Sequence, residues 1–398
     1  MSALPFPVAR QIVLERVASA RHNPAKERIP LSQALGRILA SDILADRDMP
    51  PTARSVRDGF ALRAADTPGR LRVLGEIRAG EPAHLGLEPG TAIEIMTGAP
   101  MPPHADAVVM VEHVTRDGDH VQVPTATSGQ NFNAQGSEAR SGEMLLPAGE
   151  RLSYAAIALA ASVGAVELEV YERPRVAILA TGDEVVPFHV SPEPHQVRNS
   201  NAISLASQVT LAGAIPEILP TAPDRLEETI SLVERGLTAD LLLLSGGVSA
   251  GKYDVVETAL HHLGATLFFD RVAIQPGQPL VFGRTGESFF FGLPGNPLST
   301  MVCFEVFARA AVDLLAGRCD APLPLLEAAL EKPFSHKPGL TRFLPALLSA
   351  DGSSVRKLSW TGSSDIAAAA RANCFLVAEP AQPNYSAGDR VRILPLER

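Results

Sequence analysis

Runs of basic residues are missing from this chain. Its 398 residues hold 35 Lys+Arg against 44 Asp+Glu, for a formal charge of −9 and a sequence pI near 5.6. Nucleic-acid binding rests on neutralising phosphates, so no nucleic-acid partner is expected. Cysteine is scarce. Cys303, Cys319 and Cys374 lie too far apart for a metal pair, and their odd number suits reduced cytoplasmic thiols better than a disulfide framework. The histidines show no H-x-x-x-H or H-E-x-x-H spacing, so zinc chemistry has no support. The start, MSALPFPVARQ, lacks a basic stretch followed by an apolar one, so no signal peptide is expected. Ala155–Ala165, the longest apolar helix candidate, is well short of the ~20 residues a membrane span needs. Internal repeats and low-complexity tracts are also absent.

What is present reads as an ordinary soluble chain, 46% hydrophobic and 20% charged, with mean hydropathy +0.10. Its length exceeds the ~250–300 residues at which one core stops growing, so two to four domains are expected. Helical periodicity over Val8–Arg21 and Ser32–Ser41 is followed by the proline break Asp48–Arg54. Short apolar runs between turns predict a small β module from Leu71 to Val123, and helix resumes at Ser153–Ser162. Past Tyr171–Pro174 the rhythm becomes strand–helix alternation. Strands are expected at Arg175–Thr181, Ile215–Leu219, Asp240–Ser245, Thr266–Val272, Leu280–Phe282 and Ser288–Leu293. Helices are expected at Ala202–Ala212, Arg225–Leu237, Val255–Leu263 and Ser299–Leu315. That succession argues a multidomain α/β plus β protein with a doubly wound, mainly parallel sheet, and a small β domain closes the chain.

The most informative segment is LLLLSGGVSAGKYD, Leu241–Asp254. Four leucines in a row suit a strand buried on both faces, and a glycine turn at its carboxyl end faces the crevice where open α/β sheets bind ligands. Ser245, Gly246 and Gly247 let the backbone approach an anion, with the N–H groups of Val248 and Ser249 as donors. GLPGNPLST repeats the logic: a strand, the corner Pro294-Gly295-Asn296-Pro297, then a helix opening at Ser299. RVAILATGDE places Thr181, Gly182, Asp183 and Glu184 at the same edge. A solvated turn is the commoner fate of such carboxylates. Asp183 and Glu184, sharing one expected crevice with the glycine nest and Asp254, nevertheless supply what a Mg²⁺–diphosphate site requires, oxygen ligands beside phosphate. Asp58 in an Asp-Gly turn and Thr97-Gly98 after an apolar strand are unremarkable alone, and the polar loop Asn131–Glu138 has no local meaning that can be fixed.

Taken in order and spacing, these segments resemble the molybdopterin molybdenumtransferase family, which includes bacterial MoeA and the gephyrin E domain. The resemblance spans nearly the whole chain. It runs through IPLSQALGRILASDI, SVRDGFAL, IMTGAPMPPHADAVV, ATGDEVV, VRNSN, SGGVSAGKYD, IQPGQPLVFG, GLPGNPLS and GSSDIAAAARANCF. It implies Mg²⁺-dependent insertion of molybdate into adenylylated molybdopterin with release of AMP, in a cytoplasmic homodimer whose cleft is shared between subunits. It also implies a helical connecting domain over 1–47 and 140–172, a β-rich domain over 48–139, the α/β domain over 173–318 and a small barrel-like β domain over 319–398. The enzyme that adenylylates molybdopterin and the molybdoenzymes that receive the product would be its protein partners. Carried over by motif, Glu184 and Asp254 hold Mg²⁺, while SGGVS and Pro294–Ser299 cradle the nucleotide diphosphate. Asp58, Thr97 and Glu138 act near the molybdate end, and Asp224 and Ser363 line the cleft.

Several positions that carry a cation in the family are neutral here. The K-P-G-K-P motif is Gln275-Pro276-Gly277-Gln278-Pro279, the loop arginine is Asn133, and the arginine after Pro338-Gly339 is replaced by Pro345, with Arg342 nearby. Molybdate is a dianion, and losing a cation at ~4 Å removes on the order of 1–4 kcal/mol of attraction. Either Lys252, Arg271 or Arg57 compensates, or the chain is a divergent paralogue that binds the pterin nucleotide without efficient insertion. A nucleotide pyrophosphatase on the same α/β domain and a gephyrin-like scaffold are the remaining readings.

Overall fold

A computed structural model describes residues 3–20, 24–246 and 255–396. Its centre is a six-stranded sheet in the order Ile215–Ile218, Arg175–Ala180, Leu241–Ser245, Ser288–Leu293, Val281–Thr285, Thr266–Phe269. The leucine run is the key to it. Leu241 and Leu243 enter one core with Val176, Ile178, Phe289 and Phe291, whereas Leu242 and Leu244 enter another with Ala177, Leu179 and Phe290. A strand alternates its side chains between faces, so four adjacent fully buried leucines require cover on both sides. Each such burial contributes about 1.5–3 kcal/mol. Helices Ser200–Leu211 and Pro297–Cys303 supply Leu205 and Val302 to the first core, and helices Leu226–Gly236 and Val255–His262 supply Val233 and Leu260 to the second. The first helix, Phe6–Ala20, also packs Ala9, Val13 and Val17 into the first core.

The sheet is mixed. Its first four strands run parallel, but Val281–Thr285 is antiparallel to both neighbours. The turn Gly286-Glu287 makes this strand a hairpin with Ser288–Leu293, a connection that antiparallel strands alone permit. A second six-stranded sheet, built from Gly59 to Val123, buries Phe60 and Leu62 on one face and Ala61, Ile93 and Ile95 on the other. The polar loop before Glu138 folds onto it: Phe132–Asn133 pairs with Arg54–Ser55. In the C-terminal part, strands Leu326–Leu330, Thr341–Leu348, Ser354–Lys357, Cys374–Ala378 and Arg390–Pro395 pair in a closed ring, a five-stranded barrel around Leu344, Leu376 and Ile393. Ile274–Gln275 adds to this barrel alongside Thr341–Arg342, which ties the α/β region to it.

One expected helix is not there. Ser32–Ser41 forms only the 3-10 turn Leu31–Gln33, after which Gly36 takes φ +75° and Ile38 and Leu39 bridge to Arg151 and Val170. The apolar spacing that suggested a helix instead buries Ala34, Ile38 and Leu39 from an extended path, held by the buried Arg37 side chain on Glu27 and on the Tyr171 carbonyl. The helix expected from Ser299 begins two residues earlier, with Pro297 in its first turn, and continues to Leu315 through a π-helical turn at Phe304–Ala308. Proline suits that first turn because its N–H would be unsatisfied there. Among the described residues no helix is long and apolar enough to cross a membrane.

Candidate active site

Three central strands end on one line. Ala180 pairs with Ser245, and Ser245 with Leu293, so the turns that follow them lie side by side at the carboxyl edge. One further rung extends each pairing: Thr181 N–H donates to the Ser245 carbonyl at 3.2 Å, and Gly246 N–H to the Leu293 carbonyl at 3.2 Å. Glycine makes this convergence fit. Gly246 sits at φ +91°, and a Cβ there would stand 3.1 Å from the Thr181 carbonyl oxygen and 3.3 Å from its hydroxyl. A Cβ on Gly295 would stand 3.6 Å from the Gly246 Cα, an ordinary contact, so the need for glycine falls on Gly246. Asn201, on the adjacent helix, joins two of the turns by donating from Nδ2 to Ser245 Oγ at 2.8 Å and to the Gly295 carbonyl at 2.8 Å.

Two polar atoms in this cluster are unsatisfied. Thr181 Oγ1 and Asn201 Oδ1 are buried without a hydrogen-bond partner among the described residues. A buried orphan costs about 1–3 kcal/mol and calls for an explanation such as a ligand. If Thr181 keeps its hydroxyl for a ligand, Thr181→Val will hold or raise the melting temperature of the free protein while weakening its affinity for ADP by about tenfold. Calorimetric melting and ADP titration check the two halves separately.

The carboxylates gather beside the first turn. Gly182 stands at φ +123°, and a Cβ there would lie 2.4 Å from Glu184 Oε2, so only glycine leaves room for that carboxylate to fold back over the strand end. Gly182 N–H is held by the Ala222 carbonyl at 3.1 Å, and Asp224 N–H donates to Asp183 Oδ1 at 3.2 Å. Glu184, Asp183 and Asp224 are all exposed. Their hard oxygen donors, next to an open cradle, fit a Mg²⁺ ion. Among the described residues no group of three or more His, Cys, Asp or Glu could hold a metal by itself. Asp254, with Gly247, Val248 and Ser249, lies outside the described residues.

The third turn is braced from within. Thr300 Oγ1 donates to the Pro294 carbonyl at 2.6 Å and to the Asn296 carbonyl at 3.1 Å, and Ser299 is buried. Ser363 arrives from the barrel side, its carbonyl accepting from Leu298 N–H at 3.0 Å. The Ser363 turn is closed by Asp365, whose carboxylate accepts from the N–H groups of Ala368 and Thr361 and is thereby held below its ordinary pKa.

Gln275 does not stand in neutral surroundings. The Arg342 guanidinium donates through Nη1 to Gln275 Oε1 and through Nη2 to the Lys337 carbonyl at 3.2 Å, while Nε is buried without a partner among the described residues. Desolvation lowers the Arg342 pKa, and among the described residues no carboxylate pairs with it. Gln278 and Arg271 are exposed, and Arg57 is exposed with a 3.5 Å contact from Nη1 to the Val56 carbonyl. Lys252 lies outside the described residues. Pro345 is inside the barrel strand, paired with Phe375.

Asp58, Thr97 and Glu138 are not part of the strand-end cluster; their bonds lie within the N-terminal β module. Asp58 Oδ1 accepts from both Thr97 N–H at 2.6 Å and Thr97 Oγ1 at 2.7 Å. Those two donors, the backbone one foremost, hold the Asp58 carboxyl below its ordinary pKa. It is a standing anion rather than a proton donor at neutral pH. Glu138 is exposed, with its N–H on the Met49 carbonyl at 2.8 Å. Asn133 is likewise exposed. Nothing local in VRNSN signals a role for Asn201, because its partners are 44 and 94 residues away.

Residues 4–164 match the model of the MoeA N-terminal region (domain I and II), residues 177–314 that of a probable molybdopterin binding domain, and residues 327–396 that of the MoeA C-terminal region (domain IV). The molybdopterin molybdenumtransferase of Bacillus subtilis is 32% identical over 98% of this chain and 94% of its own. Molybdopterin molybdenumtransferase 2 of Mycobacterium tuberculosis is 35% identical over 92% of this chain and 94% of its own. The crystal structure of the molybdopterin biosynthesis MoeA protein of Pyrococcus horikoshii superposes with a TM-score of 0.82 at 26% identity, covering 99% of this chain and 100% of that one. With identities of this size over almost its whole length, the chain belongs to the molybdopterin molybdenumtransferase family.

Proposed function

We propose that this protein inserts molybdate into adenylylated molybdopterin with release of AMP, and that the reaction depends on Mg²⁺. The observation that carries the reading is the row of three strand ends, where glycine backbones converge and Glu184 folds over Gly182. Ser245–Ser249 and Pro294–Ser299 seat the diphosphate, and Thr181 presents a hydroxyl that has no partner among the described residues. Glu184, with Asp254, holds Mg²⁺. When bound, that ion neutralises phosphate oxygens and steadies the leaving nucleotide. Asp224 and Ser363 line the same cleft. Thr97 supplies two hydrogen bonds to one oxygen of the ionised Asp58 carboxylate, and the other oxygen faces the molybdate and dithiolene end of the substrate. Asp58, Thr97 and Glu138 bond within their own module, apart from the strand-end cluster, and in this reading the protein is a homodimer in which one subunit lends this group to the site of the other. The protein works in the cytoplasm between the enzyme that adenylylates molybdopterin and the molybdoenzymes that take up the product.

The test is to mix the protein with adenylylated molybdopterin and Mg²⁺, with and without molybdate, and follow AMP. Release that requires molybdate supports transfer. Release that ignores it points to a nucleotide pyrophosphatase, and binding without release to a divergent paralogue or a scaffold. Gln275 and Gln278 favour the divergent paralogue, since glutamine donates hydrogen bonds but carries no charge. The Arg342 guanidinium beside Gln275 favours transfer. Arg342→Gln is accordingly expected to raise the molybdate concentration for half-maximal AMP release by about tenfold, whereas Gln275→Lys changes it less than twofold. The opposite order would mean that Arg342 supplies no charge to the oxyanion.

Thr97→Val removes one of the two bonds to Asp58 and leaves the backbone one. Turnover should fall about tenfold, and the acidic limb of the pH profile should move to higher pH, because a carboxylate that loses a donor protonates more easily. An unmoved acidic limb would remove Asp58 from the ionisations that matter.

A further inference from the structure

An asparagine amide offers two N–H donors and one carbonyl acceptor. Asn201 spends both donors, on Ser245 Oγ at 2.8 Å and on the Gly295 carbonyl at 2.8 Å. The amide cannot be turned the other way, since Oδ1 would then face the Gly295 carbonyl, acceptor against acceptor. Ser245 Oγ therefore accepts from Asn201, and its own proton remains to be donated. Among the described residues that hydroxyl donates to nothing, although Ser245 is 4% exposed. The Asn201 Oδ1 atom is itself buried without a partner there. A bond made only to stabilise the fold would not leave both ends with unused polar capacity at the meeting point of three glycine-bearing turns.

We infer that Asn201 is a positioning residue: it locks the Ser245-Gly246 turn to the Pro294-Gly295 turn at a fixed spacing and presets the Ser245 hydroxyl as a donor to a phosphate oxygen. The inference rests on the reading of these turns as the diphosphate seat. Asparagine is required rather than merely polar. Aspartate offers only acceptors at neutral pH, so it would draw the Ser245 proton onto itself and repel the Gly295 carbonyl. Leucine fills the space but ties neither turn.

ADP with Mg²⁺ serves as the diphosphate probe, titrated calorimetrically into the full-length protein and its variants. Asn201→Asp is expected to weaken ADP binding at least tenfold, and Ser245→Ala by about the same factor. The Asn201→Asp/Ser245→Ala double variant should be no weaker than the worse single one, because both changes remove the same donated proton. A purely structural role would instead lower the melting temperature and leave the two effects additive, and that result overturns the inference. ADP affinity within twofold of the parent in folded Asn201→Asp also overturns it. Should Asn201→Asp fail to fold, Ser245→Ala decides: unchanged ADP binding ends the proposal, a tenfold loss sustains it. A parent protein that binds ADP but never releases AMP would refute the transfer reaction alone and leave Asn201 judged by the titrations. If the parent does not bind ADP, the diphosphate seat and the role of Asn201 fall together.

Discussion

Replacing Glu184 with glutamine is expected to reduce AMP release by about 100-fold at fixed Mg²⁺ while the melting temperature barely moves. The two side chains have nearly the same volume, and the substitution removes only the charge. Glu184 is exposed and forms no ion pair among the described residues, so the free fold has little invested in it. Exposed substitutions of that kind usually stay within about 0.5 kcal/mol. The loss should therefore fall on the metal dependence: half-saturating Mg²⁺ should rise steeply. A companion variant reaches the same carboxylate without changing its charge. Gly182→Ala drives a Cβ to within 2.4 Å of Glu184 Oε2 and must push the carboxylate off the strand end. It should reproduce the Mg²⁺ defect, with an added stability cost because alanine resists φ +123°. AMP release measured against Mg²⁺ concentration checks both variants. An unchanged half-saturation in Glu184→Gln would remove this residue from the metal site.

The local chemistry of the central sheet was legible because burial on both faces leaves a compositional mark. Leu241–Leu244 and Ser288–Leu293 could be read as strands, and the glycines after them as turns, without knowing any neighbour. Long-range geometry was not legible. Ser32–Ser41 has helical apolar spacing, yet bridges from Ile38 to Arg151 and from Leu39 to Val170 take it into an extended path. The antiparallel course of Val281–Thr285 depends on a tight hairpin that composition alone did not distinguish from a crossover. The same holds for the site. Glu184 and Ser245 declare themselves at strand ends, but Asn201 and Arg342 gain meaning only from partners far along the chain. A side chain's type can be read locally, whereas the identity of its hydrogen-bond partner cannot.

Arg151→Met is expected to cost about 3 kcal/mol of stability at neutral pH, the largest loss from any single substitution considered for this fold. Arg151 binds three segments together: Nη1 donates to the Gly36 carbonyl at 3.0 Å, and Nη2 to the Ala212 carbonyl at 3.2 Å and to Asp313 Oδ1 at 2.7 Å. Methionine keeps most of the volume but strands the Asp313 carboxylate, whose side chain is 13% exposed. Burial already lifts the Asp313 carboxyl above its ordinary pKa, against the pull of Arg151, Arg318 and Arg309. A raised acid pKa means that the unfolded chain ionises first as pH rises, so the fold loses relative stability across that interval. Without Arg151 the carboxyl rises further and the interval widens upward. The deficit of Arg151→Met should thus be greatest at neutral pH and shrink as the solution is acidified and the carboxyl takes up a proton. Asp313→Asn should cost less than Arg151→Met, because the guanidinium it leaves behind keeps two carbonyl acceptors and is 31% exposed. Unfolding of both variants, followed from pH 7 to pH 5, separates a buried-charge penalty from simple loss of contacts. A deficit that is constant with pH, or an Asp313→Asn protein that is the less stable of the two, would show that Arg151 acts by packing and not by neutralising Asp313.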